Sequence, residues 1–289
     1  LLTGKNQVRH GWEFNPAGRD EELGMSLQET TLADRFKALG YTTGIVGKWH
    51  LGMPKPYHPL SRGFDEFFGV LHGGSSYIDF WKSGVEHGSL VGEWFALPKN
   101  NRYRGFNKVN VEQYLTDAFT DEAVKFIETH RDKPFFLYLS HIAPHTPLQA
   151  IEKYLRAYSH IEDQRTRVYA AMVAALDASV GKITTTLKRH KLDENTVVVF
   201  TSDNGCAQYV KGACSNSPLR GFKRQHLEGG IRVPYILSWP KKIANPRVYE
   251  QPVSTLDLTA TLIAAAGGVA KTPDSVNLWP YLLSQKSGN

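Results

Sequence analysis

Three times along this chain a stretch of helical periodicity is followed by a short, unbroken apolar run that ends in a polar cluster. Residues 29–39 place Leu32, Phe36 and Leu39 at helical spacing, with Gly40 where a C-terminal cap belongs. The β-prone Tyr41, Thr42, Thr43, Ile45 and Val46 follow and run into a loop at Lys48. Residues 111–130 set Tyr114, Leu115, Ala118 and Phe119 on one helical face, ahead of the apolar run FFLYL and the polar SHIAPHTP. Residues 164–188 repeat Val168, Met172, Leu176, Val180, Ile183 and Leu187 every three or four positions, ahead of TVVVF and TSDNG. A further strand is expected at 231–239, weakened by Pro234, and a helix at 255–266 ending before Gly267 and Gly268. Helices alternating with continuously apolar strands predict an α/β fold, a large and mostly parallel central sheet with helices on both faces. In such sheets ligands bind beyond the carboxyl ends of the strands. The polar clusters after the strands are therefore where chemistry is expected.

Composition adds few limits. With 41% hydrophobic residues in 289, there is enough apolar material for a sizeable core, and the chain is treated as one domain, 1–289. The 34 basic residues against 28 acidic give +6, spread along the chain. That excess would favour anionic ligands, but on charge alone it reads as serving solubility. No basic run is interleaved with aromatics, so no nucleic-acid partner is expected. No apolar run is long enough to span a membrane. Cys206 and Cys214 are near enough to close a small loop, but two cysteines make no disulfide framework and settle no compartment. The chain opens at Leu1 on LLTGKNQVRHG, with no leader sequence in view. Residues 12–25 and 53–110 have weak periodicity and read as irregular insertions that shape a substrate mouth. In the second, Trp81 and Trp94 suit stacking on a sugar as well as they suit a core.

Four clusters carry residues with chemistry. In TSDNG, Asp203 and Asn204 offer hard oxygen ligands for Ca²⁺ or Mg²⁺, but Asp-Asn-Gly is also ordinary turn chemistry. Ca²⁺ needs about six to eight oxygens, so these two would need carboxylates from elsewhere. In GKWHLG, Lys48 and His50 are two apart on an extended segment and point the same way. They suit an anionic substrate and a proton transfer, or are a surface lysine beside a satisfied histidine. SHIAPHTP holds His141 and His145, with Pro144 and Pro147 fixing the backbone around the second. LRGFKRQHLEGGIRVP gathers Arg220, Lys223, Arg224, His226 and Arg232, with Gly229 and Gly230 allowing close backbone approach. It reads equally as an oxyanion loop or a solvated one.

Taken in order, these segments resemble the type I sulfatase family, within the alkaline-phosphatase-like superfamily. GYTTGIVGKWHLG is similar to the family's second signature and LLTG to the tail of its first. HPLSRGFDEFFG, PHTP, TSDNG and LRGFK…EGGIRVP match in type and order. The wording is closest to bacterial arylsulfatases and the N-acetylgalactosamine-6-sulfatase branch. The resemblance implies hydrolysis of sulfate esters, of a sulfated carbohydrate or an aryl sulfate. It implies that Lys48 and Lys223 hold the sulfate and that His50 stands beside the nucleophile. His145 would lie near the scissile ester oxygen, and Asp203 with Asn204 would form the second half of a Ca²⁺ site. Arg220, Arg224 and His226 take no role from it.

The family nucleophile is a formylglycine made from Cys or Ser before x-Pro-x-Arg, expected just upstream of Leu1. Neither cysteine here stands in that context. The paired aspartates that open the metal site are expected upstream as well, and a small C-terminal subdomain beyond Asn289. Residues 1–289 are thus expected to be an incomplete catalytic domain, inactive alone, with an unpaired sheet region. The full-length protein would need a formylglycine-generating enzyme and would be exported or lysosomal. Two other readings remain at this stage. One is a phosphatase or phosphodiesterase of the same superfamily, which would use two metals and a Thr or Ser nucleophile; GKWHLG argues against it. The other is a degenerate sulfate-binding protein that is no enzyme.

Overall fold

The computed structural model describes residues 1–11, 23–88, 101–210, 212–243 and 246–283; Trp94 and most of the 12–25 stretch lie outside them. Helix α1 (Leu32–Ala38) starts later than the 29–39 periodicity because Thr31 caps it. The Thr31 side chain accepts from the Asp34 N–H, and the Asp34 side chain accepts from the Thr31 N–H. Strand β1 (Thr42–Lys48) follows as expected, with five of its seven residues buried.

Strand β2 (Glu66–Val70) lies inside the 53–110 stretch read as irregular, and it runs parallel to β1. Beyond it come β3 (Val85–His87), β4 (Arg102–Arg104) and β5 (Asn107–Lys108). Helix α2 (Leu115–His130) begins four residues inside the 111–130 expectation. Its first N–H, on Leu115, is given to Tyr77 O at 2.8 Å, and Tyr114 Oη donates to Gln149 O at 2.9 Å. Those contacts hold 111–114 out of the helix. Strand β6 (Phe135–Ser140) returns parallel to β1, and β7 (Gln149–Ile151) pairs antiparallel with β3.

The short α3 (Glu152–Leu155) leads to α4 (Gln164–Arg189), capped by Asp163 accepting from the Thr166 N–H. Strand β8 (Val198–Thr201) pairs antiparallel with β9 (Tyr235–Ser238). Between them is the helical turn α5 (Glu228–Ile231), so the strand expected at 231–239 begins only after Pro234. Helix α6 (Asp257–Ala265) and the turn α7 (Trp279–Leu282) close the described chain.

The main sheet has the order β5-β4-β2-β1-β6, with β2, β1 and β6 parallel and β4 and β5 antiparallel at one side. Side chains alternate across it and feed two cores. Ile45, Phe67 and Leu71 pack with Leu32, Phe36 and Ile263 of α1 and α6 on one face. Val46, Phe68 and Val70 pack with Leu115, Phe119, Val168 and Met172 of α2 and α4 on the other. Each such side chain is worth about 1.5–3 kcal/mol when fully buried, so both helix layers are held by the sheet rather than by their own propensity. This is the α/β architecture expected. The apolar runs of β6 and β8 are half-buried throughout rather than buried on both sides. Among the described residues β6 ends the five-stranded sheet, and β8 is paired only along β9. No helix among the described residues is long and apolar enough to cross a membrane.

Candidate functional site

Lys48 is the last residue of β1, and its carbonyl accepts from Ser140 Oγ at 2.6 Å. The chain then continues along the extension of β2, with Trp49 N–H donating to Val70 O at 2.9 Å and His50 N–H to Leu71 O at 3.0 Å. Trp49 is buried in the α1 side of the core and donates its indole N–H to Tyr57 O at 2.9 Å. The indole turns inward between Lys48 and His50, and the Lys48 charge bears on the His50 ring. His50 has φ 58°, a left-handed conformation uncommon outside glycine, and its ring lies tight against Gly73.

His145 arrives on the loop after β6. Its backbone carbonyl accepts from Tyr77 Oη at 2.9 Å, and its Nδ1 lies 2.7 Å from Thr146 O. A carbonyl can only accept, so Nδ1 carries the hydrogen and Nε2 is the nitrogen open to proton exchange. His141, four residues earlier, belongs elsewhere. It is in the core, with Nε2 2.8 Å from Ser179 Oγ of α4, and burial pushes its pKa down to about 4.

Asp203 and Asn204 follow β8 in a turn where Ser202 Oγ donates to Asn204 O at 2.9 Å. Two residues on, Cys206 is joined to Cys214 by a disulfide. Asn216 then ties this segment to the one carrying Lys223. Its Oδ1 accepts from Cys206 N–H at 2.7 Å, and its Nδ2 donates to Cys206 O at 3.2 Å and Gly221 O at 2.9 Å. The Lys223 N–H donates to the same Cys206 carbonyl at 3.0 Å. TSDNG and LRGFK are therefore clamped together by one carboxamide. Arg224, His226 and Arg232 are exposed, and Arg232 pairs with Glu228 of its own turn.

The ionisable groups bear on one another across these segments. Burial lowers the Lys48 pKa, with Asp203 opposing and Lys223 reinforcing. Burial first, then Lys48, Lys223, His145 and His72, push His50 down to about 4. Burial also lowers His145; its hydrogen bond to Thr146 O opposes this, and Lys223 and Lys48 add to it. Five of the six residues expected at the site, Lys48, His50, His145, Asp203 and Lys223, are thus brought together, with Asn204 beside Asp203. His72, Gly73, Asn216 and Tyr209 join them without any motif to announce them. Tyr209 Oη lies 3.5 Å from His145 Nε2. Desolvated cationic groups crowding one another describe a site that is stabilised when an anion enters.

The fit to a cation is only partial. Asp203 and Asn204 are donors of the type Ca²⁺ takes, two against about six to eight. Among the described residues no group of three or more His, Cys, Asp or Glu is placed to hold a metal. No chemical step is assigned to a metal on this donor set.

Known proteins carry the same chain pattern. Mouse N-acetylgalactosamine-6-sulfatase is 36% identical over 301 residues, covering 98% of this chain and 56% of that protein. Mouse arylsulfatase J is 34% identical over 270 residues, covering 93% and 44%. The chain spans about half the length of the curated relatives it matches. Among solved structures, Ps i-CgsB in complex with k-i-k-neocarrahexaose superposes with a TM-score of 0.86 at 34% identity, covering 96% of this chain and 63% of that one. The family model described as Sulfatase matches residues 1–269. With its fold, its ordered motifs and these matches in agreement, the chain belongs to the sulfatase family, within the alkaline-phosphatase-like superfamily.

Proposed function

We propose that this chain supplies the sulfate-binding and proton-transfer groups of a sulfatase that hydrolyses sulfate monoesters of a carbohydrate or an aryl alcohol. The observation that carries the reading is the convergence of the half-buried Lys48 and Lys223 on His50 and His145. A sulfate monoester brings one delocalised negative charge, and the two ammonium groups neutralise it and the charge of its transition state. His145 gives the Nε2 proton to the leaving oxygen as the S–O bond breaks. Its pKa is lowered in the free site; the ester's charge offsets Lys48 and Lys223 and favours the protonated ring once substrate is bound. His50, with a pKa near 4, is a neutral imidazole at neutral pH and serves as the base that takes the nucleophile's proton.

Formylglycine as that nucleophile belongs to the same proposal, as does a formylglycine-generating enzyme as maturation partner. Both cysteines of residues 1–289 are tied in the disulfide, so neither thiol is available for conversion. Asp203 and Asn204 are proposed as part of a Ca²⁺ shell completed by other residues. The disulfide favours maturation in an oxidising compartment, outside the reducing cytosol. A sulfated sugar as substrate is supported by the relative named N-acetylgalactosamine-6-sulfatase and by the neighbour solved with k-i-k-neocarrahexaose.

The test uses the protein expressed from its complete gene, with sulfate release measured on aryl sulfates and on 6-sulfated N-acetylgalactosamine. Lys48→Ala and Lys223→Ala are each expected to lower kcat/KM by roughly 10²–10³-fold, as loss of an oxyanion donor does. Near-normal turnover in both variants would refute the assignment. Preferential cleavage of phosphate esters would move the protein to the phosphatase reading.

A further inference from the structure

Two contacts define the state of His145: Nδ1 is committed to Thr146 O, and the backbone carbonyl is held by Tyr77 Oη. At the working nitrogen, Nε2, the neighbour is Tyr209 Oη at 3.5 Å, with the two rings edge-on and their centroids 6.4 Å apart. Hydrogen bonds at catalytic groups are commonly this long before substrate is bound, and they tighten in the complex. Tyr209 is 48% exposed, so the side of the site it lines is open to solvent.

The position of Tyr209 is nonetheless fixed. It sits on the 3₁₀ turn Gln208–Val210, within the loop closed by Cys206–Cys214. Val210 is buried in the α2–α4 side of the core, and both half-cystines pack against that cluster. The backbone of Cys206 is gripped by Asn216 and by the Lys223 N–H. One small loop therefore joins the segment that presents Lys223 to a hydroxyl that meets His145.

We infer that Tyr209 is a positioning residue for leaving-group protonation: its hydroxyl holds His145 Nε2 toward the ester oxygen, and the Cys206–Cys214 loop holds Tyr209. The inference rests on the reading of His145 as the acid. In the free site the Tyr209 O–H donates to the neutral Nε2. Once the ester is bound, Nε2 takes a proton from solvent and the Tyr209 hydroxyl rotates so that its oxygen faces that N–H. As the nucleophile's oxygen bonds to sulfur, the S–O bond to the leaving group breaks, its electron pair goes to the leaving oxygen, and that oxygen takes the Nε2 proton; Tyr209 neither gains nor loses a proton. A phenol with an electron-withdrawing group leaves as phenolate without help. A phenol without one needs the proton, and so depends on how well Nε2 is aimed.

The experiment compares Tyr209→Phe, the Cys206→Ser/Cys214→Ser double variant and His145→Ala in the protein from its complete gene. Each is assayed for kcat and KM on aryl sulfates from 4-nitrophenyl to 4-methoxyphenyl sulfate, and checked by thermal unfolding. Tyr209→Phe is expected to leave kcat on 4-nitrophenyl sulfate within about threefold of wild type. On 4-methoxyphenyl sulfate it should lower kcat roughly tenfold or more, with KM little changed, a part of the 10²–10⁴-fold an acid supplies. The double variant should show the same slope. His145→Ala should be steeper along the same series. If His145→Ala is leaving-group dependent and Tyr209→Phe is flat, or loses equally across the series, the role of Tyr209 is overturned while the acid stands. If His145→Ala is itself flat, the acid reading fails first and this inference falls with it.

Discussion

Replacing Gly73 with alanine puts a methyl group where the His50 ring already is. An added Cβ would stand 2.5 Å from His50 Cε1 and 2.6 Å from Nε2. Non-bonded carbon atoms settle near 3.5–4.0 Å, so the ring must retreat by about 1 Å. The backbone cannot retreat with it. The His50 N–H is bonded to Leu71 O, and the preceding Trp49 is buried and bonded to Tyr57 O. The ring must therefore turn about its own side-chain bonds and lose its aim. A misplacement of about 1 Å at a reacting group costs roughly 10²-fold, or about 2.7 kcal/mol of activation free energy. Gly74 is the control. A Cβ there meets the His145 ring only at 3.9 Å, an ordinary contact, and neither glycine has a backbone that excludes an L-residue. The assay is kcat/KM on 4-nitrophenyl sulfate with the protein from its complete gene, alongside the thermal midpoint of each variant. Gly73→Ala is expected to fall about 100-fold and Gly74→Ala to stay near wild type. A Gly73→Ala enzyme within about threefold of wild type, or equal losses in both variants, would refute the claim that the ring is wedged by Gly73.

Two further outcomes follow from the charges. His50, His58 and His141 are each pushed down to about 4, chiefly by burial. The unfolded chain, with imidazoles near 6.5, binds protons that the folded chain refuses, so stability is full above that pH and is lost as pH falls toward 4. Each imidazole adds up to about 1.4 kcal/mol per pH unit to that slope. Urea unfolding at several pH values should show His141→Leu with a slope shallower by close to one proton, and an unchanged slope would contradict the burial argument. The second outcome concerns Asp203. Calcium chloride should raise the thermal midpoint of the wild-type protein from its complete gene by a few degrees and leave Asp203→Asn unmoved; equal shifts in both would remove Asp203 from the cation shell.

Helix α4 is readable from pattern because its buried residues recur at helical spacing, and β1 and β6 because each is an unbroken apolar or β-branched run. Strand β2 is not. Phe67 faces one core and Phe68 and Val70 the other, in a glycine- and aromatic-rich stretch, and the strand gains its register only by pairing with β1 and β4. The site divides in the same way. Lys48, His50, Asp203 and Lys223 stand in motifs whose order along the chain carries the family. His72, Gly73, Tyr209 and Asn216 act only once distant loops have met, and no local spacing encodes that meeting. The pair His141 and His145 shows the limit most plainly. They are the same residue type, four apart in one loop, and only the contact of one with Ser179 and of the other with Tyr77 and Thr146 gives them different work.

The alternation of Lys48, Trp49 and His50 bears on how such an enzyme can diversify. The two residues proposed for the reaction flank one whose indole is an anchor of the α1 core, and insertion or deletion of one residue here would exchange anchor for proposed site residue. The segment can therefore change by substitution but not in length. Neighbouring stretches carry no such frame: Trp81 lies 86% exposed on one of them, free to be traded for other side chains. Variation between relatives would then fall on positions such as this one, while the Lys48–His50 segment keeps its length.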